Sequence, residues 1–302
     1  MGILSKDIRG KKVLITGADG FTGKYLSTAL YDKGFNIIRL GKSDSENHKL
    51  IYCDLTKKEE IRKVIEKTSP DYVIHLAAVT FVGESDIESF YNVNLFGTLN
   101  LLEALFSQKY PPSKIIIASS ANIYGAPNVD AIDESVCPAP VNHYANSKLA
   151  MENAVRFWFD RLPIIITRPF NYTGPGQSER FLIPKIVGHF KRGEKSIRLG
   201  NTDVRRDFSD VKDVVECYSR LLTSEASSLV VNICSGNAIS LNDIIKIVGD
   251  IAGYDISVKV DQSLVRTNEI KFLRGNNLFL KKLIKFVPET PIRDILRGMY
   301  ML

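Results

Sequence analysis

The stretch VLITGADGFTGKYL, residues 13–26, limits what this chain can fold into more than any other. A short run of branched apolar residues reads as a buried strand, and Gly17, Gly20 and Gly23 lead from it into a helix-forming segment. Glycines at this GxxGxxG spacing let the backbone turn tightly and come close to an anion drawn to the helix N-terminus. A strand, a glycine loop and a helix in that order, first in the chain, predict the opening unit of a parallel sheet.

The rest of the first half repeats the alternation. Strand-like runs fall at 12–17, 36–41, 49–55, 71–78, 114–120 and 163–169, with helix-like segments at 21–33, 57–67, 87–108 and 144–161. Continuous apolar runs belong to strands buried on both faces. The order predicts an α/β fold, a doubly wound parallel sheet of Rossmann type. The second half is less regular. A strand at 229–236 and a helix at 240–253 capped by Ser240 stand out there.

The 302 residues suffice for one large domain with a smaller lobe. No apolar run reaches the roughly 18 residues of a membrane span, and the N-terminus lacks a secretory pattern. Gly2 is not followed by the Ser or Thr of a myristoylation site. Cys53, Cys137, Cys217 and Cys234 are scattered without a CxxC pair, so free thiols in a reducing cytoplasm are expected. The net charge of +6 is dispersed and no nucleic-acid motif accompanies it, which favours a small polyanionic ligand over nucleic acid. His48, His75, His143 and His189 have no metal-ligand spacing, and no metal site is expected. His75 reads as structural, and His143 as a loop residue beside Tyr144.

A pyrophosphate at this loop implies a dinucleotide. When NAD is bound, Asp or Glu at the end of the second strand holds the ribose 2′-hydroxyl. Here that strand ends in Gly41, with Lys42 next and Arg39 nearby. A missing carboxylate beside cations favours a 2′-phosphate, hence NADP(H), with NAD(H) possible; an exposed loop lysine is the alternative reading of Lys42. Asp54 ends the third strand, within reach of an adenine amino group.

The segment YANSK places Tyr144 and Lys148 four apart, on one face of a helix. A neighbouring cation favours a phenolate, so a tyrosine so placed can give or take a proton at a carbonyl or carbinol oxygen. Ser120 ends the fifth strand, positioned to hydrogen-bond the same oxygen. A YxxxK pair alone is commonly a surface helix; the glycine loop and the serine-ended strand raise it to a catalytic candidate.

TGADGFTG, CDL, HLAA, NVNLFGTLNLLEA, SSANIYG, YANSK and RPFNYTGPGQ, in this order along nearly the whole chain, resemble the extended short-chain dehydrogenase/reductase superfamily, also called the NAD-dependent epimerase/dehydratase superfamily. The resemblance implies a catalytic triad of Ser120, Tyr144 and Lys148, with Lys148 also on the nicotinamide ribose. It implies cofactor contacts from Gly17, Gly20, Phe21, Thr22, Gly23, Arg39, Lys42, Asp54, Leu55, Leu76, Ala77, Ala78 and Pro169. Asn94 would be structural or would support the lysine. The expected division is a cofactor domain of 1–168 with about 207–235, and a smaller C-terminal α/β substrate-binding lobe of 169–206 and 236–302, with the site between them.

Three chemistries on nucleotide sugars compete within this superfamily. Dehydration needs an acid and a base beyond the tyrosine, supplied by carboxylates after the serine; Ala121 and Asn122 stand there instead. Epimerases usually hold NAD through an acidic strand end, which Gly41 lacks. The segments RPFNYTGPGQSERFLIPKIV, LGNTDVRRDFSDVKDVVECY, VNICSG and VRTNEI resemble GDP-4-keto-6-deoxy-D-mannose reductases and their 6-deoxytalose-forming relatives. That implies NADP(H)-dependent reduction of a C4 ketone to GDP-rhamnose or GDP-6-deoxytalose, for surface polysaccharides such as lipopolysaccharide. Thr80, Asn122, Asn171, Phe181 and Lys185 would line the sugar nucleotide, with Arg206 and Arg266 on its diphosphate, where planar guanidinium groups suit phosphate. A dTDP- or UDP-linked substrate, a 4-epimerase, and an NADP-sensing scaffold without chemistry are the alternatives. Segments 91–106 and 149–159 are apolar around more of their circumference than a sheet-facing stripe requires. Within the superfamily these helices form a four-helix bundle with a second copy, so a homodimer is expected.

Overall fold

A computed structural model describes residues 8–42, 50–80, 86–265 and 269–302. In chain order the elements are β1 (Lys12–Thr16), α1 (Phe21–Asp32), β2 (Asn36–Gly41), β3 (Leu50–Tyr52), α2 (Lys58–Thr68), β4 (Tyr72–His75), α3 (Ile87–Tyr91), α4 (Thr98–Phe106), β5 (Lys114–Ala118), α5 (His143–Arg156) and β6 (Ile164–Pro169). A π-helical turn, Asn92–Gly97, joins α3 to α4. There follow β7 (Asn171–Thr173), α6 (Leu182–Lys191), β8 (Ser196–Leu199), β9 (Arg205–Asp210), α7 (Val211–Thr223), β10 (Leu229–Ile233), β11 (Ala238–Ser240), α8 (Leu241–Ala252), β12 (Ser257–Val260), β13 (Phe272–Leu273), α9 (Leu278–Ile284) and α10 (Ile292–Met301).

The chain divides into two compact units. The first comprises 1–123, 140–168 and 215–231, the second 124–139, 169–214 and 232–302. This differs from the sequence-based division at three places: 124–139, 207–214 and 232–235 belong to the second unit. Residues 124–139 join the second unit because Ile132 bridges Gly275, and β9 (205–210) does so because it pairs with β7, β11 and β13.

The first unit carries a seven-stranded sheet in the order β10-β6-β5-β4-β1-β2-β3, the doubly wound Rossmann arrangement expected. β1 pairs in parallel with both β2 and β4, so its end lies at the point where the strand order reverses. All four residues of β4 are buried, as are Ile115, Ile116 and Ile117 of β5, because helices cover both faces. Ile61 and Ile65 of α2, Leu101 and Leu105 of α4, and Met151 and Val155 of α5 pack on one side of that sheet.

In the second unit α6, α8 and α10 pack through Ile186, Phe190, Ile244, Val248, Ile295 and Leu296. Ser240 caps α8, accepting from Asp243 N at 3.1 Å, as the sequence predicts. The buried carboxylate of Asp207 accepts from Ser235 N, Ser235 Oγ and Gly236 N at 2.7–2.9 Å and from Gly275 N at 3.2 Å, tying β9 to two loops.

Candidate active site

Gly17 has φ +67°, and a Cβ on it would lie 2.9 Å from Ala77 N. A Cβ on Gly23 would strike Gly17 O and come within 2.6 Å of Ala18 Cα. The loop is therefore a cradle that side chains would fill. Phe21 and Thr22 open α1, whose first turn holds no acidic residue and has no side-chain cap. Its leading N–H groups suit a dinucleotide pyrophosphate. Leu76, Ala77 and Ala78 follow β4, and Ala77 N donates to Thr16 Oγ1 at 3.1 Å beside the loop.

At the ends of β2 and β3, Lys42 Nζ lies 2.9 Å from Asp54 Oδ2. The lysine is thus ion-paired, not simply solvated. Partial burial pushes the Asp54 carboxyl up, but hydrogen bonds from Lys42 and Thr56 outweigh it and hold the group below its ordinary value. Leu55 is buried beneath. Nε of Arg39 is buried and, among the described residues, has no hydrogen-bond partner.

α5 starts under a cap: Asn142 Oδ1 accepts from Ala145 N at 2.8 Å. Tyr144, Lys148 and Glu152 then follow at intervals of four on one face, and all three are buried. Phe90 of α3 meets the Tyr144 ring edge-on, centroids 6.2 Å apart. Lys148 Nζ donates to Ala118 O, at the end of β5, at 2.7 Å. Burial pushes the Lys148 ammonium down to about 8, against an opposing pull from the Glu152 carboxylate. Ser120 Oγ accepts from Asn122 N at 3.2 Å, which uses a lone pair and leaves the hydroxyl proton for another oxygen. His143 belongs to the first turn of α5, where its ring nitrogen lies 3.3 Å from Tyr91 Oη.

A hydrogen-bonded path that the sequence did not disclose runs through the first unit. Thr98 Oγ1 donates to Asn94 O at 2.7 Å, so toward His75 Nε2, 2.8 Å away, it accepts. His75 Nδ1 consequently accepts from Thr16 Oγ1 at 2.7 Å, and the imidazole is the neutral Nε2–H form. Burial, with the Lys148 charge adding, holds its pKa down to about 3. The π-helical turn turns Asn94 toward the loop after β4: it accepts from Val79 N at 2.9 Å and donates to Val79 O at 3.1 Å. Its amide also donates to Ser147 Oγ at 3.0 Å, and Ser147 donates to Tyr144 O at 2.8 Å. Glycine loop, β4 end and Tyr144 helix are thus held in one register. Asn94 supports the helix that carries the lysine. Thr80, next to Val79, is exposed.

Of the remaining candidates, Pro169, Asn171, Phe181, Lys185 and Arg206 belong to the second unit. Pro169 is buried at the end of β6, Phe181 is 40% exposed ahead of α6, and Asn171 starts β7. Lys185 Nζ donates to Arg198 O at 3.0 Å, and Arg206 Nη2 meets Glu269 Oε1 at 2.5 Å. Arg266 lies outside the described residues. No group of three or more potential metal ligands occurs among the described residues.

Fold, glycine cradle and the Ser120, Tyr144 and Lys148 motifs define an enzyme of the extended short-chain dehydrogenase/reductase class. Residues 14–299 match the family described as GDP-mannose 4,6 dehydratase, and the chain belongs to that family. It is 36% identical to a GDP-6-deoxy-D-talose 4-dehydrogenase of Aggregatibacter actinomycetemcomitans over 96% of this chain and 97% of that protein. It is 33% identical to a GDP-6-deoxy-D-mannose reductase of Pseudomonas aeruginosa over 95% of each. A solved structure of RMD from Pseudomonas aeruginosa complexed with NADPH superimposes with a TM-score of 0.84, at 31% identity and 97% coverage of both chains.

Proposed function

We propose that this chain interconverts a C4 ketone and a C4 alcohol on a GDP-linked 6-deoxyhexose, in the reducing direction with a GDP-4-keto-6-deoxymannose-type substrate. The observation that carries this reading is Ser120, two residues beyond the end of β5, with the residues that follow it. Ser120 retains a hydroxyl proton to donate, while Ala121 and Asn122 after it offer no carboxylate for dehydration. The two GDP-sugar redox enzymes at 33–36% identity support it.

The bound nicotinamide supplies hydride. Ser120 orients the carbonyl by donating to its oxygen, and Tyr144 gives that oxygen its proton as the C–O π bond breaks. Lys148 stabilises the phenolate left on Tyr144. Run backwards, the same groups oxidise a 4-hydroxyl, which is the second reading and the one favoured by the talose dehydrogenase relative. Arg206, set by Glu269, and Arg266 hold the diphosphate. NADP(H) is the cofactor, with NAD(H) possible, in line with the related NADPH complex. The product is GDP-rhamnose or GDP-6-deoxytalose, feeding surface polysaccharide such as lipopolysaccharide. Among the described residues no helix is long and apolar enough to cross a membrane. A cytoplasmic location is proposed from the four cysteines, none of them in a disulfide.

We also place the chain in a homodimer. Phe96 in the π-helical turn, Phe106 at the end of α4 and Phe157 just after α5 are 54%, 46% and 81% exposed.

The test is incubation of GDP-4-keto-6-deoxymannose with NADPH, following cofactor oxidation and the C4 configuration of the product by NMR. dTDP- and UDP-linked 4-keto-6-deoxysugars and GDP-mannose serve as comparisons. Water loss from GDP-mannose, or no cofactor oxidation with any ketone, refutes the reading.

A further inference from the structure

The end of β2 holds a carboxylate after all, delivered by a different part of the chain. A Cβ built on Gly41 would lie 2.5, 2.6 and 2.9 Å from Oδ1, Cγ and Oδ2 of Asp19. The Asp19 side chain therefore covers the Cα of Gly41, at the strand position where NAD-binding sheets carry their acidic residue. A side chain at position 41 would displace it from there. The arrangement is tied down on both sides: Ala18 N donates to Leu40 O at 2.9 Å, and Cys53 N donates to Gly41 O at 3.2 Å. Arg39 shares a strand face with Gly41 by the two-residue period, and its buried Nε lacks a partner among the described residues. Lys42 is turned to Asp54.

Resting on the dinucleotide reading above, we propose that Asp19 is the specificity-determining residue for the adenosine ribose, accepting from its 2′-hydroxyl and opposing a 2′-phosphate. Arg39 is the cation that offsets it. The absent strand-end carboxylate then does not by itself select NADP(H), because the glycine loop supplies a carboxylate in its place. Asp19 and Arg39 together set a graded preference in which both cofactors bind.

The experiment measures dissociation constants for ADP-ribose and 2′-phospho-ADP-ribose by calorimetry, at one ionic strength, on the wild type, Asp19→Asn and Arg39→Met. These ligands carry the ribose end without the nicotinamide, so the readout is independent of turnover. Asp19→Asn preserves size, and thermal melting of each variant verifies that it is folded. Asp19→Asn is expected to move the affinity ratio toward the 2′-phosphate by about tenfold or more, the scale of one charge contact near a protein surface. Arg39→Met is expected to move it the other way. An unchanged ratio, or an equal loss of both ligands in Asp19→Asn, overturns the proposal. Should neither ligand bind the wild type, the dinucleotide reading falls and this inference with it. A shifted ratio in a protein that reduces no keto sugar supports the inference while refuting the assigned reaction.

Discussion

Arg168 holds Glu152 through Nε at 3.0 and 3.2 Å and Nη2 at 2.7 Å, and both side chains are buried. The pair joins the end of β6 to the helix bearing Tyr144 and Lys148. Breaking a buried pair by removing one partner typically costs about 3–5 kcal/mol. Glu152→Gln and Arg168→Met should each lower stability on that scale in urea titrations, and the double variant by less than their sum. Strict additivity would show that the two charges do not depend on each other.

His75 makes stability depend on pH. Its pKa is about 3 in the fold against an ordinary 6.5, so the unfolded chain takes up the proton first. The contribution is complete above about 6.5 and drains as pH falls toward about 3. Between pH 7 and pH 5 this group should cost the wild type about 2 kcal/mol. His75→Gln should lose that part of the slope; an unaltered slope in the variant would contradict the assignment.

Lys148 should set an alkaline limit on catalysis. With its ammonium near 8, kcat/KM for ketone reduction should decline as pH rises through that value and the cation is lost. Glu152→Gln removes a carboxylate that favours the charged form, so the limb should move to lower pH. A profile flat to about pH 9.5 would exclude this role.

Tyr144→Phe keeps the ring against Phe90 and removes the transferable proton. Turnover should fall by about 10²–10⁴ with little change in NADPH affinity. Arg206→Ala should instead chiefly raise KM for the sugar nucleotide, because its contact would be made in both ground and transition states. Near-normal turnover in Tyr144→Phe would rule out the proposed acid.

Phe157→Ser should shift sedimentation toward the monomer if the exposed aromatic face is an interface between copies. A wild type that is monomeric at micromolar concentration would exclude the dimer.

The strands were legible because β1, β4, β5 and β6 are nearly continuous apolar runs, and sheets covered on both faces demand them. Gly17, Gly20 and Gly23 were legible because their spacing is local. Tyr144 and Lys148 were legible through helical periodicity. Asp19 over Gly41 was not: the two are far apart in sequence, and an aspartate in a turn has many ordinary uses. Arg168 ends an apolar run, and nothing nearby in sequence names Glu152 as its partner. The helix expected at 87–108 is two helices around a π-helical turn, because apolar spacing does not resolve one wider turn. Segment 124–139 belongs to the second unit through the bridge from Ile132 to the distant Gly275, a pairing its own composition does not announce.

The π-helical turn at Asn92–Gly97 makes this segment sensitive to a deletion. Loss of one codon within it gives an ordinary α-helix and rotates the residues before the deletion by about 100° relative to those after it. Local helix geometry gains from that change, yet Asn94 can no longer serve both Val79 and Ser147. Shortening the turn by one residue would thus exchange better helix geometry for loss of the bridge that Asn94 makes between the loop after β4 and the Tyr144 helix.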